Sequence, residues 1–316
     1  MATGSGGGNV VEAARRSLGP VGAFLPLPFT ETPAAEEQIG LARRIEQAGY
    51  TAVWVNEALG GKDVLVQSAV LLAATESVTL GTAIANLWAR PPRLAHGAAA
   101  LLASAYPGRF VLGVGVGYPQ QAASVGREFG SPLATTRDYL EQMADPAPVQ
   151  PAPEADYPLI LAANGPRMLA LAAELTDGAI PAAMPASFTE QARKALGPDR
   201  LLVVALSLAT GSLEPEAARA EARKQAAASL ARPWYSATIE RLGYPRKQID
   251  ELDDELVDAI IAHGTPDAIA AAAHRHLAAG ADHVVLLPTL GADPAVSIQR
   301  LEQLAPAVLS GVRGVG

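Results

Sequence analysis

The feature that most constrains the fold of this chain is the alternation of short, mostly apolar segments with longer helical ones. The short segments show no polar alternation, which is typical of parallel strands because helices cover both faces of their sheet. Eight such strands are predicted, at residues 21–25, 52–55, 78–84, 110–114, 159–162, 178–182, 201–209 and 283–288. Eight strands that alternate with helices indicate an α/β fold, the (β/α)8 or TIM barrel.

The joins between helices and strands support this prediction. Gly49 and Gly280 each follow an apolar helical stretch and precede a strand by only a few residues. Glycine readily adopts the left-handed backbone conformation that ends many helices, whereas other residues avoid it. Two helix ends are therefore predicted at these glycines.

The chain has 316 residues and is predicted to hold one barrel domain, residues 21–316, since such barrels commonly reach about 250 residues or more. Residues 1–20 are predicted to be a flexible extension, because residues 1–9 are rich in glycine. Within it, residues 10–18 allow one or two turns of helix with Arg15 and Arg16 exposed. A helix-rich stretch at about 213–264, after the seventh strand, is predicted to be an insertion that serves as a lid or a dimer contact.

Composition excludes several classes of site and partner. The chain contains no cysteine, so disulfides and thiolate metal sites are excluded. Its formal net charge of −8 argues against nucleic acid, which requires clustered Lys and Arg. The five histidines lack the spacing of metal ligands, so no metal site is predicted. No apolar run is long enough for a membrane span or a signal peptide, and we expect a soluble, cytoplasmic protein with a small-molecule ligand.

In a barrel of this type the active site lies at the carboxyl ends of the strands. The candidate residues that follow strands one to five are Phe29, Glu57, Asn86, Trp88, Arg90, Gly115, Gly117, Tyr118, Asn164, Gly165, Pro166 and Arg167. The run Gly113–Gly117 does not have the G-x-G-x-x-G spacing of a Rossmann fold, so that interpretation is rejected. These glycines are instead predicted to let a flat ring pass close to the backbone.

Four motifs on this strand pattern resemble the bacterial luciferase-like superfamily and, within it, the branch that depends on the deazaflavin coenzyme F420. They occur in the expected order at residues 49–57, 80–84, 108–115 and 163–178. The resemblance covers residues 21–287. It implies that the cofactor contacts Ala83, Ile84, Asn86, Gly115, Gly117, Asn164, Gly165, Pro166 and Arg167.

The resemblance also assigns roles to some of these residues. A non-prolyl cis peptide between Ala83 and Ile84 would support one face of the deazaflavin ring. The helix start after the fifth strand would bind phosphate, with Asn164 as the N-cap, Pro166 in the first turn and Arg167 as a cation. Phe29, Trp88 and Arg90 would line the substrate pocket. The residues alone also allow an ordinary capped helix, a trans strand and a core role for Trp88.

The chain departs from the family pattern after the second strand. Many relatives have Asp followed by His there, whereas this chain has Glu57 followed by Ala58, so a histidine acid or base is not carried over. Glu57 is predicted to act as an acid/base group or to bond the cofactor edge, with capping of the next helix as the alternative. Tyr118 offers a phenol as another proton donor, or it packs at the rim.

The resulting hypothesis is an F420-dependent oxidoreductase that transfers a hydride between the deazaflavin and a small organic substrate. The alternatives are an FMN-dependent monooxygenase of the same superfamily and a barrel that binds cofactor without turnover. Because barrels of this superfamily often pair, a homodimer is expected. The substrate depends on residues 118–158 and 213–264, which are the least family-like parts of the chain.

Overall fold

A closed parallel sheet forms the centre of the computed structural model, which describes residues 7–28, 31–145, 151–212, 214–289 and 291–310. The strands found in these ranges are β1 (Val21–Phe24), β2 (Ala52–Val55), β3 (Thr79–Thr82), β4 (Ala85–Asn86), β5 (Phe110–Gly115), β6 (Leu159–Leu161), β7 (Gly178–Ala179), β8 (Leu201–Leu208), β9 (Ile261–Ala262) and β10 (His283–Leu287). Neighbours follow the order β10-β1-β2-β3-β5-β6-β7-β8, and β8 pairs with β10 to close the ring. The short β4 and β9 pair with β5 and β8. The predicted (β/α)8 barrel is confirmed.

Helices surround this barrel and connect its strands. Those in the described ranges are α1 (Gly7–Leu18), α2 (Ala35–Gln47), α3 (Val64–Ala74), α4 (Pro92–Ala105), α5 (Pro119–Ser124), α6 (Pro132–Ala144), α7 (Pro166–Leu175), α8 (Ala186–Leu196), α9 (Pro215–Leu230), α10 (Pro233–Arg241), α11 (Arg246–Glu251), α12 (Asp254–Ile260), α13 (Pro266–Ala278) and α14 (Pro294–Ser310). Helices α9 to α12 form the helical insertion predicted after the seventh main strand. Within the same ranges, no helix combines the length and the apolar character that crossing a membrane requires.

Local sequence signals place several of the helix ends. Gly49 and Gly280 have φ values of 95° and 101°, so the predicted left-handed conformation is confirmed at both. Asp63 begins α3, where its carboxylate accepts the backbone N–H groups of Leu65 at 2.9 Å and Val66 at 3.1 Å. These contacts satisfy amide groups that would otherwise lack partners at the start of the helix.

The barrel interior is filled by an aromatic pair, Trp54 and His283. Trp54 Nε1 donates to His283 Nε2 at 3.0 Å, and the two ring centroids are 5.7 Å apart. His283 Nδ1 donates to the carbonyl of Gly19 at 2.6 Å, which fixes the neutral tautomer with Nε2 as acceptor. Gly22 and Gly81 face these rings, and a Cβ at Gly81 would overlap the indole. Two strands therefore carry glycine where the interior holds its bulkiest side chain.

Helix α1 closes the amino end of the barrel. Three apolar side chains at helical spacing are buried in the same cluster as the barrel interior: Val11, Ala14 and Leu18. Arg15 is half-buried and donates to Asp282 Oδ1 at 3.0 Å. The prediction of a flexible extension with an exposed Arg15 is therefore wrong for residues 7–18, although Arg16 is exposed as predicted. The apolar stripe of α1 is buried because it packs against the amino end of the barrel interior.

Candidate functional site

The carboxyl-end mouth of the barrel is lined by the last inward-facing residue of each strand. Side chains alternate between the two faces of a strand, and Trp54 faces the barrel interior. The backbone hydrogen bonds between this strand and its neighbour continue past β2, from Val55 to Glu57. Asn56, two residues after Trp54, therefore faces the mouth. Val203 of β8 faces the interior, so Ser207, four positions later, lies on the same face of the strand. Its partner in β10, Leu287, also packs against the interior cluster. The polar side chains of Asn56 and Ser207 therefore lie at the mouth.

Small residues form the floor of this mouth. Ala83 and Ala162 are half-buried and pack on the interior cluster, and Gly115 of β5 lies on the strand between them. A Cβ at Gly115 would lie 2.7 Å from Ile84 Cδ1 and 3.0 Å from Ala162 Cβ, so only glycine fits there without displacing its neighbours. The peptide bond between Ala83 and Ile84 is cis, as the resemblance predicts. The floor therefore lacks large side chains across three adjacent strands.

Asn86 lies beside this floor, and the described part of the chain offers its amide nitrogen no partner. It pairs with Gly115 in the ladder between β4 and β5, which places both on the mouth side. Its Oδ1 accepts the backbone N–H of Trp88 at 3.0 Å, whereas its buried Nδ2 has no acceptor among the described residues. Gly117, with a φ of 62°, lies over Nδ2, since a Cβ there would be 2.6 Å away. Trp88 is fixed by its Nε1, which donates to the carbonyl of Val116 at 2.7 Å.

Glu57 is buried behind the mouth, and both of its carboxylate oxygens are occupied. Oε1 accepts the backbone N–H of Val64 at 3.0 Å and Nη2 of Arg90 at 2.8 Å, and Oε2 accepts the N–H of Asn86 at 3.3 Å. Arg90 is also 2.8 Å from Asp63. Burial would raise the pKa of Asp63, but the hydrogen bonds from Arg90 and from backbone amides outweigh it and lower the pKa. Of the roles that the sequence left open for Glu57, the contact with the start of the next helix is present.

The loop after β6 leads into the start of α7. Asn164 Nδ2 donates to the carbonyl of Ala182 at 3.2 Å, and its Oδ1 accepts the N–H of Ala182 at 3.0 Å. The prediction that Asn164 caps α7 is wrong, because its side chain bonds to the loop after β7 and Gly165 is the N-cap. Pro166 lies in the first turn, as predicted. Arg167 is exposed in the first turn of α7, so the amides at the start of this helix lie beside a solvent-accessible cation.

Helix α10 of the insertion contacts three of the loops that surround the mouth. The Tyr235 hydroxyl donates to a carbonyl of the loop after β7, and Thr238 Oγ1 lies 3.5 Å from the carbonyl of Asn164 after β6. The Arg232 guanidinium lies 5.6 Å from the ring centroid of Tyr118, which follows β5 and is 44% exposed. The insertion therefore bounds this side of the mouth.

The structure brings most of the predicted site residues to one end of the barrel, whereas Phe29 lies outside the described residues. Of three further mouth residues, Asn56 was placed after the second strand without a role, and Lys62 and Ser207 were not selected from the sequence. Ser207 could have been identified by counting alternate positions along β8. Lys62 has no such signal, because a hairpin rather than a strand brings it to the mouth.

The described ranges contain no cluster of three or more His, Asp or Glu side chains that could hold a metal ion. Two of the histidines are instead buried hydrogen-bonding groups within the fold. His276 lies 2.8 Å from Thr189 Oγ1, and burial lowers the pKa of His276 to about 4. Burial likewise lowers the pKa of His283 to about 4.

Comparison with known proteins identifies relatives of this barrel. The chain is 33% identical over 188 residues to a Mycobacterium tuberculosis protein named as a candidate coenzyme F420-dependent oxidoreductase, with 50% of this chain and 54% of that protein covered. It is 28% identical over 207 residues to the 5,10-methylenetetrahydromethanopterin reductase of Methanolobus tindarius, with 58% and 64% covered. The chain thus spans between half and two thirds of the length of these relatives.

A solved structure shows the same fold. The coenzyme F420-dependent tetrahydromethanopterin reductase from Methanopyrus kandleri superposes with a TM-score of 0.74 at 18% identity, over 93% of this chain and 100% of that one. In addition, residues 20–283 match the family described as luciferase-like monooxygenase. That match covers most of the chain and includes every strand of the barrel except the last four residues of β10. The chain belongs to the luciferase-like monooxygenase family.

Proposed function

We propose that this protein is an F420-dependent oxidoreductase that transfers a hydride between the deazaflavin and a small organic substrate. The observation that carries the proposal is the short distance between the floor of small residues and the N-terminus of α7. Ala162 belongs to the floor, and Gly165 begins the turn into α7 three residues later, about 11 Å away at most. A planar ring on the floor would therefore place its anionic side chain next to α7.

The floor fits a planar ring of low polarity. Ala83, Gly115 and Ala162 present little more than backbone, and Ile84 supplies an apolar edge. The unpartnered Nδ2 of Asn86 is the donor that a ring carbonyl or ring nitrogen would satisfy, since a buried amide without an acceptor is costly. We propose that these residues bind the ring system and that Gly117 leaves space above it.

The start of α7 fits a phosphate. No side chain in the described ranges caps its first amides, and a helix N-terminus attracts anions through these amides and the helix dipole. Arg167 lies in the first turn, and Arg241 of α10 is close by because it donates to Thr238 at 2.7 Å, which in turn lies next to Asn164. We propose that Gly165, Pro166 and Arg167 hold the phosphate group.

When bound, the deazaflavin would supply the two-electron hydride chemistry, and the protein would orient the substrate and exclude water. We propose that Trp88 and Arg90 bound the substrate space and that Tyr118 contacts the substrate at the rim. The three hydrogen bonds to the Glu57 carboxylate leave it poorly placed to exchange a proton. We therefore assign Glu57 the role of holding Arg90 and the loop of Asn86 in position.

Titration with F420 and with FMN tests this proposal. We expect F420 to bind with a dissociation constant in the micromolar range or lower, and FMN at least tenfold more weakly. Tight binding of FMN without binding of F420 would instead support the FMN-dependent monooxygenase that the family description suggests. Binding of F420 without turnover of any substrate in a broad panel of alcohols, aldehydes and enones would support a non-catalytic barrel.

We also propose a homodimer that pairs through α3 and α4. These neighbouring helices carry large apolar side chains on their outer faces: Val66 is 64% exposed, Leu94 is 64% exposed and Leu101 is 61% exposed. Helix α3 carries its polar side chains, Gln67 and Ser68, on the buried side, so its outer face is apolar, which is typical of a surface that a partner covers. A second copy of this chain would cover that surface.

A further inference from the structure

A tight hairpin follows Glu57 and returns the chain to the mouth of the barrel. Ala58 and Lys62 pair across it, since the N–H of Ala58 donates to the carbonyl of Lys62 at 3.3 Å and the reverse bond is 2.9 Å. Gly60 turns the chain with a φ of 80°. The Nζ of Lys62 then donates to Asn56 Oδ1 at 3.3 Å. Because Asn56 faces the mouth, the ammonium group of Lys62 lies at its edge.

Lys62 differs from the other lysines in its surroundings. It is half-buried, whereas Lys194, Lys224 and Lys247 are exposed on helices. Burial lowers the pKa of Lys62 to about 8, and the negative charge of Glu57 opposes the change only in part. The other charged groups of this region, Asp63 and Arg90, are paired with one another. An amine in this state is mostly protonated at neutral pH and still releases its proton readily.

We propose that Lys62 is the catalytic proton donor and acceptor of this site, held toward the substrate by Asn56. The inference rests on the proposed function. Lys62 would supply the proton-transfer group of the mouth, because Ala58 has no titratable side chain and both carboxylate oxygens of Glu57 already accept hydrogen bonds.

The step balances in atoms and electrons. In the direction of reduction, bound reduced F420 would supply a hydride to the carbon of a substrate C=O group, and the π electron pair would move to oxygen. That oxygen takes a proton from Lys62, so one N–H bond breaks and one O–H bond forms. The neutral amine then regains a proton from water. In the direction of oxidation, neutral Lys62 takes the hydroxyl proton, and the hydride on the carbon would pass to bound oxidised F420.

Competitive acetylation tests the placement without any substrate. Trace acetic anhydride is applied across pH 6 to 10, and the chain's four lysines are quantified by peptide mass spectrometry, with the three exposed ones as references. We expect Lys62 to reach half-maximal reactivity near pH 8. Bound F420 should reduce its labelling at least fivefold and leave the references unchanged. A midpoint at the ordinary lysine value of about 10.4, or no protection by bound F420, would overturn the proposal.

Two variants separate proton transfer from simple charge. Lys62→Met removes the amine, and Lys62→Arg keeps the positive charge in a group that does not release a proton in proteins. Both should bind F420 within about threefold of the unmodified protein and lose about 100-fold in kcat, within the usual range for general acid catalysis. A Lys62→Arg variant with normal kcat would show that only the charge matters and would overturn the proposal.

The same experiments distinguish failure of this inference from failure of the proposed function. If the unmodified protein does not bind F420, the proposed function fails and the inference falls with it. If F420 binds and a carbonyl substrate is reduced while the two variants keep normal kcat and pH profiles, the proposed function stands and the role of Lys62 is wrong.

Discussion

The carboxylate of Glu57 and the guanidinium of Arg90 form a buried ion pair, 2.8 Å apart, in which the two side chains are 3% and 10% exposed. This pair joins the loop after β2 to the loop after β4, and the backbone N–H of Asn86 bonds to the same carboxylate. The buried ion pair therefore holds Asn86, and with it the neighbouring floor of the mouth, in position. Changes at Arg90 should affect both stability and cofactor binding.

Arg90→Met is expected to lower the free energy of unfolding by about 3 kcal/mol, because it leaves a buried carboxylate without its cation. Chemical denaturation at pH 7 measures the loss. Arg93→Met is the matched control, since Arg93 pairs with Asp145 on the surface and such pairs contribute about 1 kcal/mol at most. Equal losses for the two variants would contradict the structural role assigned to the buried pair.

The sequence predicted the barrel because its strands carry a local pattern that needs no knowledge of their neighbours. The packing of the N-terminal helix on the barrel was missed for the opposite reason: burial of Val11, Ala14 and Leu18 depends on a surface that the rest of the chain builds. The capping role given to Asn164 failed in the same way, because Ala182, a tertiary partner, competes for its amide. Lys62 reaches the mouth through a hairpin, which the spacing of apolar residues does not predict.

The buried histidines predict a pH dependence of stability. His276 and His283 have folded pKa values of about 4, below the ordinary value of about 6.5 that applies to the unfolded chain. The unfolded chain therefore binds more protons below pH 6.5, so their contribution to stability is complete above that pH and is lost as the pH falls toward 4.

Each histidine should add up to about 1.4 kcal/mol of lost stability per pH unit in this window. Denaturation of the unmodified protein and of His276→Gln at half-unit intervals from pH 7 to 4 measures the slope. We expect the free energy of unfolding of the variant to fall less steeply with decreasing pH, by about 1.4 kcal/mol per pH unit, which corresponds to one bound proton. Parallel curves for the two proteins would contradict the assignment of a buried neutral His276.

The interior of the barrel predicts a strong effect at one glycine. Gly81→Ala places a methyl group inside the Trp54 ring, which neighbouring strands prevent from moving, and overpacking of this kind costs about 1–3 kcal/mol. Gly97→Ala in α4 is the control, because its Cβ meets no atom within 4 Å and alanine favours a helix by about 0.5–1 kcal/mol. The two substitutions should therefore change the free energy of unfolding in opposite directions.

Trp54→Leu should partly relieve the clash when it is combined with Gly81→Ala. The cost of the alanine would then be smaller in the Trp54→Leu background than in the unmodified protein, by more than about 0.5 kcal/mol. A double-mutant cycle from denaturation curves measures this coupling. Strict additivity would show that the indole does not limit the space at Gly81.

Arg167 provides a test of the phosphate site. Arg167→Gln should weaken F420 binding about tenfold, which corresponds to about 1.4 kcal/mol and to one lost charge-assisted hydrogen bond. The effect should shrink as salt is raised, because Arg167 is exposed. Arg16→Gln, an exposed cation at the opposite end of the barrel, should bind F420 normally. Unchanged binding by Arg167→Gln would remove the start of α7 from the site.

The proposed dimer surface predicts that one charge on α3 disrupts association. Val66→Glu places a carboxylate where a second copy would otherwise cover apolar side chains, and an unpaired buried charge is strongly unfavourable. Sedimentation velocity from 1 to 100 µM should show a dimer for the unmodified protein and mostly monomer for the variant. Val296→Glu, at an apolar residue of α14 that is 40% exposed, is the control and should leave the dimer intact. Dimers of equal strength in both variants would place the interface away from α3, and a monomer of the unmodified protein at every concentration would exclude the homodimer.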